Sequence, residues 1–161
     1  NDMSEVIIEG KHIKNDGTEE ILSKNELNLS YRKSFYTEKP FIITSMKMKL
    51  TEQPPEIIRA KMYENILKRK SKQPLEYPNA GSTFKRPEGY YAGTLIEQCG
   101  LKGKFVGGAM VSPKHAGFII NTGNATAQNI CDLVKLIKET VYNKTGVTLQ
   151  CEIKTLGDIN L

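Results

Sequence analysis

The segment TAQNICDLVKLIKETVYNKTG, residues 126–146, decides the fold of the second half of the chain. Its apolar side chains recur at the helical spacing i, i+3, i+4 and i+7, at Ile130, Leu133, Val134, Ile137 and Val141. Thr126 suits the residue that caps a helix start, and Gly146 suits the left-handed residue that follows a helix end. The pattern therefore predicts an amphipathic helix with one buried face.

Short elements are predicted on either side of this helix. Gln53-Pro54-Pro55-Glu56 marks a boundary, after which helical spacing continues to about Lys72, and Pro74 stops it. The other predicted elements are a helix at 92–99, strands at 105–111 and 117–121, and a final alternating strand at 147–153. Residues 53–161 are thus predicted to form a compact mixed α/β domain.

Residues 1–52 carry the patterns of antiparallel strands instead. Extended segments flank the turn sequence Asn15-Asp16-Gly17, and Ser23 with Glu26 has the spacing of a capping box for a short helix. Alternation from Pro40 to Leu50 predicts a strand with one buried face, formed by Ile42, Thr44, Met46, Met48 and Leu50. The fold class predicted for the whole chain is therefore α+β.

The composition excludes several classes of protein. Of 161 residues, 39% are hydrophobic and 25% are charged, as in globular domains. No apolar run approaches the roughly 18 residues that span a bilayer, and no secretory signal is evident. The three cysteines, Cys99, Cys131 and Cys151, are predicted to be buried free thiols in a reducing cytoplasm. The two histidines lie too far apart in sequence to form a local metal motif.

The net charge of +5 is concentrated in the middle third of the chain. Between Arg59 and Lys104, ten basic and four acidic side chains give a net charge of +6. Such a concentration indicates an anionic partner: a phosphate-bearing small molecule, a nucleic acid or a membrane surface. On charge alone, a solvated basic face is the alternative.

Small residues precede Ser82 in the turn-rich segment 77–87 and would leave its hydroxyl exposed. A serine acts as nucleophile or proton donor only when neighbours activate it, and no G-x-S-x-G elbow is present. On spacing alone, Ser82 is an ordinary turn serine and Glu152 is a solvent-facing strand residue. The glycine patterns of nucleotide-binding loops are also missing from the sequence.

A series of motifs, in the same order along the chain, resembles the UDP-N-acetylenolpyruvoylglucosamine reductase family. The motifs are QPLEYPNAGSTFKRP (73–87), AGTLI (92–96), GLKG (100–103), GGA (107–109), HAGF (115–118), the segment from 146 to 157, and YRKSF (31–35). The resemblance extends over nearly the whole chain and corresponds to the shorter form of the family.

This resemblance implies a cytoplasmic flavoenzyme of peptidoglycan synthesis, and hence of cell shape and division. It implies reduction of the enolpyruvyl group of UDP-N-acetylglucosamine-enolpyruvate with NADPH and FAD. Ser82 matches the family's proton donor, and Arg32 and Glu152 match residues that hold the carboxylate and stabilise the intermediate. Positions that line the family's substrate cleft are matched by Arg69, Lys72, Arg86, Lys102 and His115. A metal ion, a nucleic acid and a membrane are not implied.

The family's FAD-binding region, with its glycine-rich turns, has no counterpart in the sequence. Because the chain also lacks an initiator methionine, we expect a C-terminal piece of the enzyme. In this interpretation residues 1–52 are the remnant of the second FAD-binding subdomain, and residues 53–161 are the substrate-binding domain. We expect this piece not to bind FAD tightly, to lack reductase activity alone, and to be able to form a non-native dimer through an uncovered sheet edge.

A non-enzymatic nucleic-acid module is the competing hypothesis. Such a module needs aromatic side chains among its basic residues, because bases stack on them. The candidates are Tyr63, Tyr77, Phe84, Tyr90 and Tyr91. The long ordered series of motifs favours the reductase family over this alternative.

Overall fold

The computed structural model describes residues 2–30, 32–37 and 39–159, and the chain divides into two units. The first unit ends at Ile58 and the second begins at Arg59. This division falls within a helix, slightly beyond the boundary predicted from sequence after residue 52. The roles assigned to the two domains remain predictions.

The first unit is built on a three-stranded antiparallel sheet in the order β2-β1-β3. Its strands are β1 (Ile7–Ile13), β2 (Glu19–Ser23) and β3 (Ile42–Met48). Two short 3₁₀ turns, Met3–Glu5 and Phe35–Thr37, accompany them. A small core forms on one side around Ile7, Leu22 and Leu27.

Two predictions for the first unit are wrong in detail. Ser23 donates from its amide to Glu26, as in a capping box, and its hydroxyl donates to the same carboxylate oxygen, yet the following residues form turns and no helix. Strand β3 has the predicted position, but its expected buried face is mostly exposed, and Ile42 is 68% exposed. Met46 is the member of that face that packs against the core. Strand β3 is an edge strand of this sheet, and the described residues of the first unit leave most of its side chains exposed.

The second unit combines three helices with a four-stranded antiparallel sheet in the order β4-β7-β6-β5. Helix α1 begins in the first unit and ends in the second. The elements are α1 (Pro55–Lys72), β4 (Asn79–Ser82), α2 (Ala92–Gln98), β5 (Phe105–Val106), β6 (Ala109–Val111), β7 (Phe118–Asn121) and α3 (Ala127–Thr145). The mixture of helices and antiparallel strands confirms the predicted α+β class.

Helix α3 confirms the amphipathic helix predicted for residues 126–146. The Thr126 hydroxyl accepts from the Asn129 amide, and the Asn129 side chain accepts in turn from the Thr126 amide, so a capping box forms. Gly146 ends the helix at a left-handed φ of 73°. The side chains of the predicted apolar stripe that are fully buried are Leu133, Val134, Ile137 and Val141. They pack with α2 and the sheet into the larger hydrophobic core.

The strand predicted at 105–111 is a hairpin in the structure. Phe105 pairs with Met110 across a turn at Gly107 and Gly108, and Gly107 has a φ of 54°. A Cβ atom on Gly108 would lie 2.3 Å from the Gly123 carbonyl oxygen and 2.5 Å from the Ala125 nitrogen. The two glycines therefore let the hairpin approach the turn that leads into α3.

Two further predictions change at the end of the chain and in the loop. The predicted strand at 147–153 is an extended segment that makes one isolated bridge, Cys151 to Phe84. The turn-rich segment at 74–90 contains strand β4 rather than loop alone. All three cysteines are free thiols, but Cys151 is only partly buried. No helix among the described residues is long and apolar enough to cross a membrane.

Candidate functional site

Ser82 ends strand β4, where it pairs with Phe118 of β7 and exposes its side chain. The strand's approach is shaped by Asn79, whose side-chain nitrogen donates to the carbonyls of Pro74 (3.2 Å) and Tyr77 (2.8 Å). The Asn79 side-chain oxygen accepts from the amide of Gly81, whose φ is 82°. A fixed turn of this kind presents the Ser82 hydroxyl from a strand rather than from a loose loop.

Glu152 lies on the extended segment next to the end of β4. Its amide donates to the carbonyl of Thr83 at 2.9 Å, and the amide of Lys85 donates to the carbonyl of Gln150 at 2.8 Å. These bonds place Glu152 opposite the residue that follows Ser82. Glu152 is partly buried, and its Oε2 atom is fully buried. The backbones of two residues that are distant in sequence, Ser82 and Glu152, are thus brought near each other by this pairing.

Thr83 ties this arrangement to β7. Its side-chain oxygen accepts from the Ile119 amide at 3.2 Å, and its own amide donates to the Gly117 carbonyl at 2.9 Å. Thr83 itself is 2% exposed. Sequence reasoning missed Thr83 and Asn79 as supports of the site. The Asn-x-Gly spacing at 79–81 is a turn signal that could have revealed Asn79.

His115 is held beside β7 by the backbone around it. Its Nδ1 atom accepts from the amide of Gly117 at 3.1 Å, and its ring packs edge-on against Phe118 at 4.9 Å. A Cβ atom on Gly93 or Gly117 would lie 3.3 Å or 3.0 Å from Cε1 of the ring, so both glycines make room for the imidazole. Because Nδ1 is an acceptor, the neutral ring carries its proton on Nε2 and presents one donor.

The other predicted substrate-binding cations lie around the second unit in different settings. The guanidinium of Arg86 stacks 4.0 Å above the ring of Tyr91, and its Nε donates to the carbonyl of Tyr90 at 3.3 Å. Lys102 forms an ion pair with Glu97 at 2.5 Å. Arg69 and Lys72 lie in the last turn of α1, where Arg69 contacts Gln73 at 3.4 Å.

Arg86 lines a pocket of about 290 Å³. Its other lining residues include Lys85, Glu88, Tyr90, Thr148 and Gln150. Another ion pair, Lys114 with Glu76 at 3.1 Å, joins the loop before β7 to the loop before β4. Hydrogen bonds from the backbone and from Lys114 hold the pKa of the Glu76 carboxyl below its usual value.

Arg32 belongs to the first unit, whereas Ser82 and Glu152 belong to the second. It lies in a tight turn closed by two backbone hydrogen bonds between Ser30 and Lys33, with a left-handed φ of 57°. Arg32 lines a pocket of about 350 Å³ together with Ser4, Ser30, Ser34 and Thr37. A non-glycine residue in this conformation is strained, a feature that occurs often at functional sites. Tyr31, the neighbour in the family motif, lies outside the described residues.

The aromatic rings of the first unit pack on one another, with His12 stacked on Phe41 at 4.8 Å and Phe35 near both. No group of three metal-ligating side chains occurs among the residues that the structure describes.

Comparison with known proteins matches the second unit to one family. A sequence profile described as "UDP-N-acetylenolpyruvoylglucosamine reductase, C-terminal domain" matches residues 73–156. This range covers more than half of the chain and contains Ser82, Arg86, Lys102, His115 and Glu152. The chain belongs to that family. The resemblance predicted from the motifs is thereby confirmed.

Relatives in this family extend the match to almost the whole chain. The UDP-N-acetylenolpyruvoylglucosamine reductase of Agathobacter rectalis is 46% identical over 157 residues, which are 98% of this chain and 50% of that protein. The reductase of Caldanaerobacter subterraneus is 53% identical over 138 residues, 86% of this chain and 46% of the relative. The chain thus spans about half the length of the curated relatives it matches.

A solved structure supports the same fold. The crystal structure of UDP-N-acetylenolpyruvylglucosamine reductase from Thermus caldophilus matches with a TM-score of 0.77 and 34% identity. The match covers 94% of this chain and 53% of that structure. The α+β architecture described above is therefore that of a reductase family member.

Proposed function

We propose that the chain is the substrate-binding half of a UDP-N-acetylenolpyruvoylglucosamine reductase, a cytoplasmic enzyme of peptidoglycan synthesis. The complete enzyme would reduce the enolpyruvyl group of UDP-N-acetylglucosamine-enolpyruvate with NADPH and FAD. One observation carries this proposal: the exposed Ser82 hydroxyl and the partly buried Glu152 carboxyl lie on adjacent extended segments within the matched range 73–156.

Reduction of an enol ether adds a hydride to one carbon and a proton to the neighbouring carbon. The flavin would supply the hydride, and the proposal for this chain concerns the proton and the charge. Ser82 would donate the proton, because an alcohol gives up its proton only to a strongly basic centre such as an enolate carbon. The rigid presentation of Ser82 on β4 suits a donor that must lie within hydrogen-bond reach of that carbon.

Negative charge develops on the carboxylate side of the substrate as the hydride arrives. Arg32 would bind that carboxylate through its permanently charged, planar guanidinium, which matches a carboxylate with two parallel hydrogen bonds. Glu152 would help only in its protonated form, since a second carboxylate would repel the intermediate.

The diphosphate of a UDP-sugar accounts for the basic middle third. Arg86 keeps donors available beyond its single contact with the Tyr90 carbonyl, and its stacking on Tyr91 holds the guanidinium plane in place. His115 presents one Nε2 donor to a phosphate or sugar oxygen. Lys102 would first have to leave Glu97, so we expect a smaller contribution from it. Arg69 and Lys72 retain their proposed place at the edge of the same binding region.

The nucleic-acid alternative loses one of its stacking candidates. Phe84 is 4% exposed and packs in the core, whereas Tyr63, Tyr77, Tyr90 and Tyr91 remain at the surface. Binding of nucleic acid is therefore retained as an outcome of the experiment that tests the reductase assignment.

Calorimetric titration of the purified chain tests the proposal. UDP-N-acetylglucosamine-enolpyruvate should bind, a random single-stranded oligonucleotide should not, and Arg86→Ala should weaken the sugar nucleotide about tenfold. Lys70→Ala serves as the control, because it removes a cation at the end of α1 that has no proposed role in substrate binding. Binding of the oligonucleotide with steep salt dependence, without binding of the UDP-sugar, would contradict the assignment.

A further inference from the structure

A fully buried histidine lies in the first unit, outside every residue assigned above. His12 of β1 is 0% exposed. Its ring is stacked on Phe41 at 4.8 Å with an interplanar angle of 4°, and the ring of Tyr36 meets it edge-on at 5.4 Å. Nδ1 has a hydrogen-bond partner, whereas Nε2 lies near a carboxylate without an aligned hydrogen bond.

The two ring nitrogens of His12 face different groups, a hydroxyl and a carboxylate. Nδ1 lies 3.3 Å from the Tyr36 hydroxyl, and Nε2 lies 3.2 Å from the Glu20 carboxylate on β2. The second contact is an ion-pair distance without good hydrogen-bond alignment. Lys14 pairs with the other oxygen of Glu20 at 3.1 Å. With its proton on Nε2, the ring would leave Nδ1 to accept from the Tyr36 hydroxyl.

Tyr36 can serve as that donor because it stays protonated. Burial, and then the charge of Glu20, raises the pKa of the Tyr36 phenol above its usual value. The Tyr36 hydroxyl also lies close to Gly10 of β1: a Cβ atom on that glycine would lie 2.9 Å from the hydroxyl oxygen. The tyrosine therefore rests on the bare backbone of β1, directly beside His12.

The turn that carries Tyr36 is continuous with the turn that carries Arg32. Phe35 donates from its amide to the Leu27 carbonyl at 2.8 Å, and Ser34 donates to the Thr37 hydroxyl at 2.8 Å. Arg32 and Thr37 line the same pocket. The strained backbone of Arg32 is therefore held on one side by a segment whose side chains are anchored on His12.

We infer that His12 is a positioning residue for Arg32: through Tyr36 it fixes the 33–37 segment and so holds the Arg32 turn in its left-handed conformation. The inference rests on the proposed role of Arg32 in binding the substrate carboxylate. His12 itself touches no substrate. Removing the Tyr36–His12 contact should weaken binding of the substrate carboxylate and leave binding of the rest of the ligand unchanged.

Tyr36→Phe is the decisive variant, because it deletes one oxygen and keeps the ring packing. Affinities are measured on the purified chain for UDP-N-acetylglucosamine-enolpyruvate and for UDP-N-acetylglucosamine, which lacks the carboxylate. We expect about a tenfold loss for the first ligand and less than a twofold loss for the second. Tyr63→Phe, at an exposed position on α1, is the matched control and should change neither affinity.

A matched pair of histidine variants separates the two contacts. Asn at position 12 offers an oxygen near the place of Nδ1, and Gln offers an amide near the place of Nε2. His12→Asn should retain carboxylate discrimination better than His12→Gln, because Asn keeps an acceptor for the Tyr36 hydroxyl while both variants lose the ring packing against Phe35. Equal losses in both variants would contradict the inference and assign His12 to packing alone.

Nuclear magnetic resonance of the ligand-free chain keeps this inference separate from the proposed function. At about pH 8 the nitrogen shifts of His12 should identify the Nε2-protonated form, and Tyr36→Phe should shift the Arg32 Nε–H signal. An unchanged Arg32 signal would overturn the inference whatever the affinities. A shifted signal in a chain that binds neither UDP-sugar would support the positioning role and reject the proposed function.

Discussion

The amide of Glu152 donates a 2.9 Å hydrogen bond to the carbonyl of Thr83. This one bond joins the end of β4 to a segment from the far end of the chain. It places the backbone of Glu152 opposite Thr83, the residue after Ser82, without any sequence motif that links the two segments. A backbone contact of this kind fixes the spacing of the two functional groups independently of their own side-chain identities, so each can be replaced without moving the other.

Ser82→Ala should therefore abolish chemistry and leave the fold intact. The test uses a chimera in which residues 2–158 replace the aligned half of the Thermus caldophilus reductase. We expect kcat for substrate-dependent NADPH oxidation to fall by roughly 10²–10⁴-fold, the usual contribution of a positioned proton donor. Thermal unfolding should shift little, since the removed hydroxyl is exposed. Ser71→Ala is the control; wild-type turnover in Ser82→Ala would remove Ser82 from the mechanism.

Gly108→Ala should destabilise the chain strongly, because its new methyl group would meet backbone atoms of Gly123 and Ala125 that cannot rotate away. We expect a loss of about 2–3 kcal/mol in the free energy of unfolding by urea. Gly89→Ala is the matched control, since Gly89 has a φ of 73° but open space around it. That variant should lose only about 1 kcal/mol from backbone strain. Equal losses would show that the hairpin turn can relax.

Thr126→Ala should weaken the start of α3 by about 1 kcal/mol, because the Asn129 amide loses its side-chain acceptor. Gln128→Ala, in the same turn, removes a surface contact to Asp132 and should change the free energy of unfolding by less than about 0.5 kcal/mol. Urea denaturation of both variants, followed by circular dichroism, compares them. A smaller effect for Thr126→Ala than for Gln128→Ala would show that the capping box contributes little.

Lys114→Ala should raise the pKa of Glu76 toward the usual value without reaching it, because the backbone hydrogen bond, the larger cause of the lowering, remains. Carboxyl carbon shifts followed against pH give the value directly. A lowered pKa means that Glu76 stabilises the folded chain above the unfolded pKa, and that this contribution is lost as pH falls through the folded value. The variant should show less of this acid-dependent loss. Lys85→Ala is the control.

The elements that followed from sequence are those whose signals are local. The apolar stripe and both caps of α3 lie within one continuous segment, so the helix, its start at Thr126 and its end at Gly146 were all predictable. The face of β3 was not, because alternation predicts a buried side but does not say whether the chain supplies the layer that buries it. Likewise the Ser23–Glu26 hydrogen bonds formed while no helix followed, since short helices need tertiary support.

The candidate site likewise contains residues that the sequence predicted and contacts that it did not. The family motifs predicted Ser82, Glu152 and His115. In the structure Ser82 ends β4, Glu152 lies on the segment bridged to the residues after Ser82, and His115 lies just before β7. Thr83 gave no signal, because a buried threonine in a strand resembles any other core residue in sequence. The stacking of Arg86 on Tyr91 and the ion pair of Lys102 with Glu97 were also invisible, since neither contact follows from spacing. These contacts rank the predicted cations, which charge counting could not do.

Every residue of α1 is exposed, although six large apolar side chains lie along it: Ile57, Ile58, Met62, Tyr63, Ile66 and Leu67. Its backbone hydrogen bonds are consequently within reach of water at every turn. We expect amides in such a helix to exchange with solvent through local openings more readily than amides on the buried face of α3. The cations at its end, Arg69 and Lys72, would thus be carried by a segment that opens many times for each unfolding of the core.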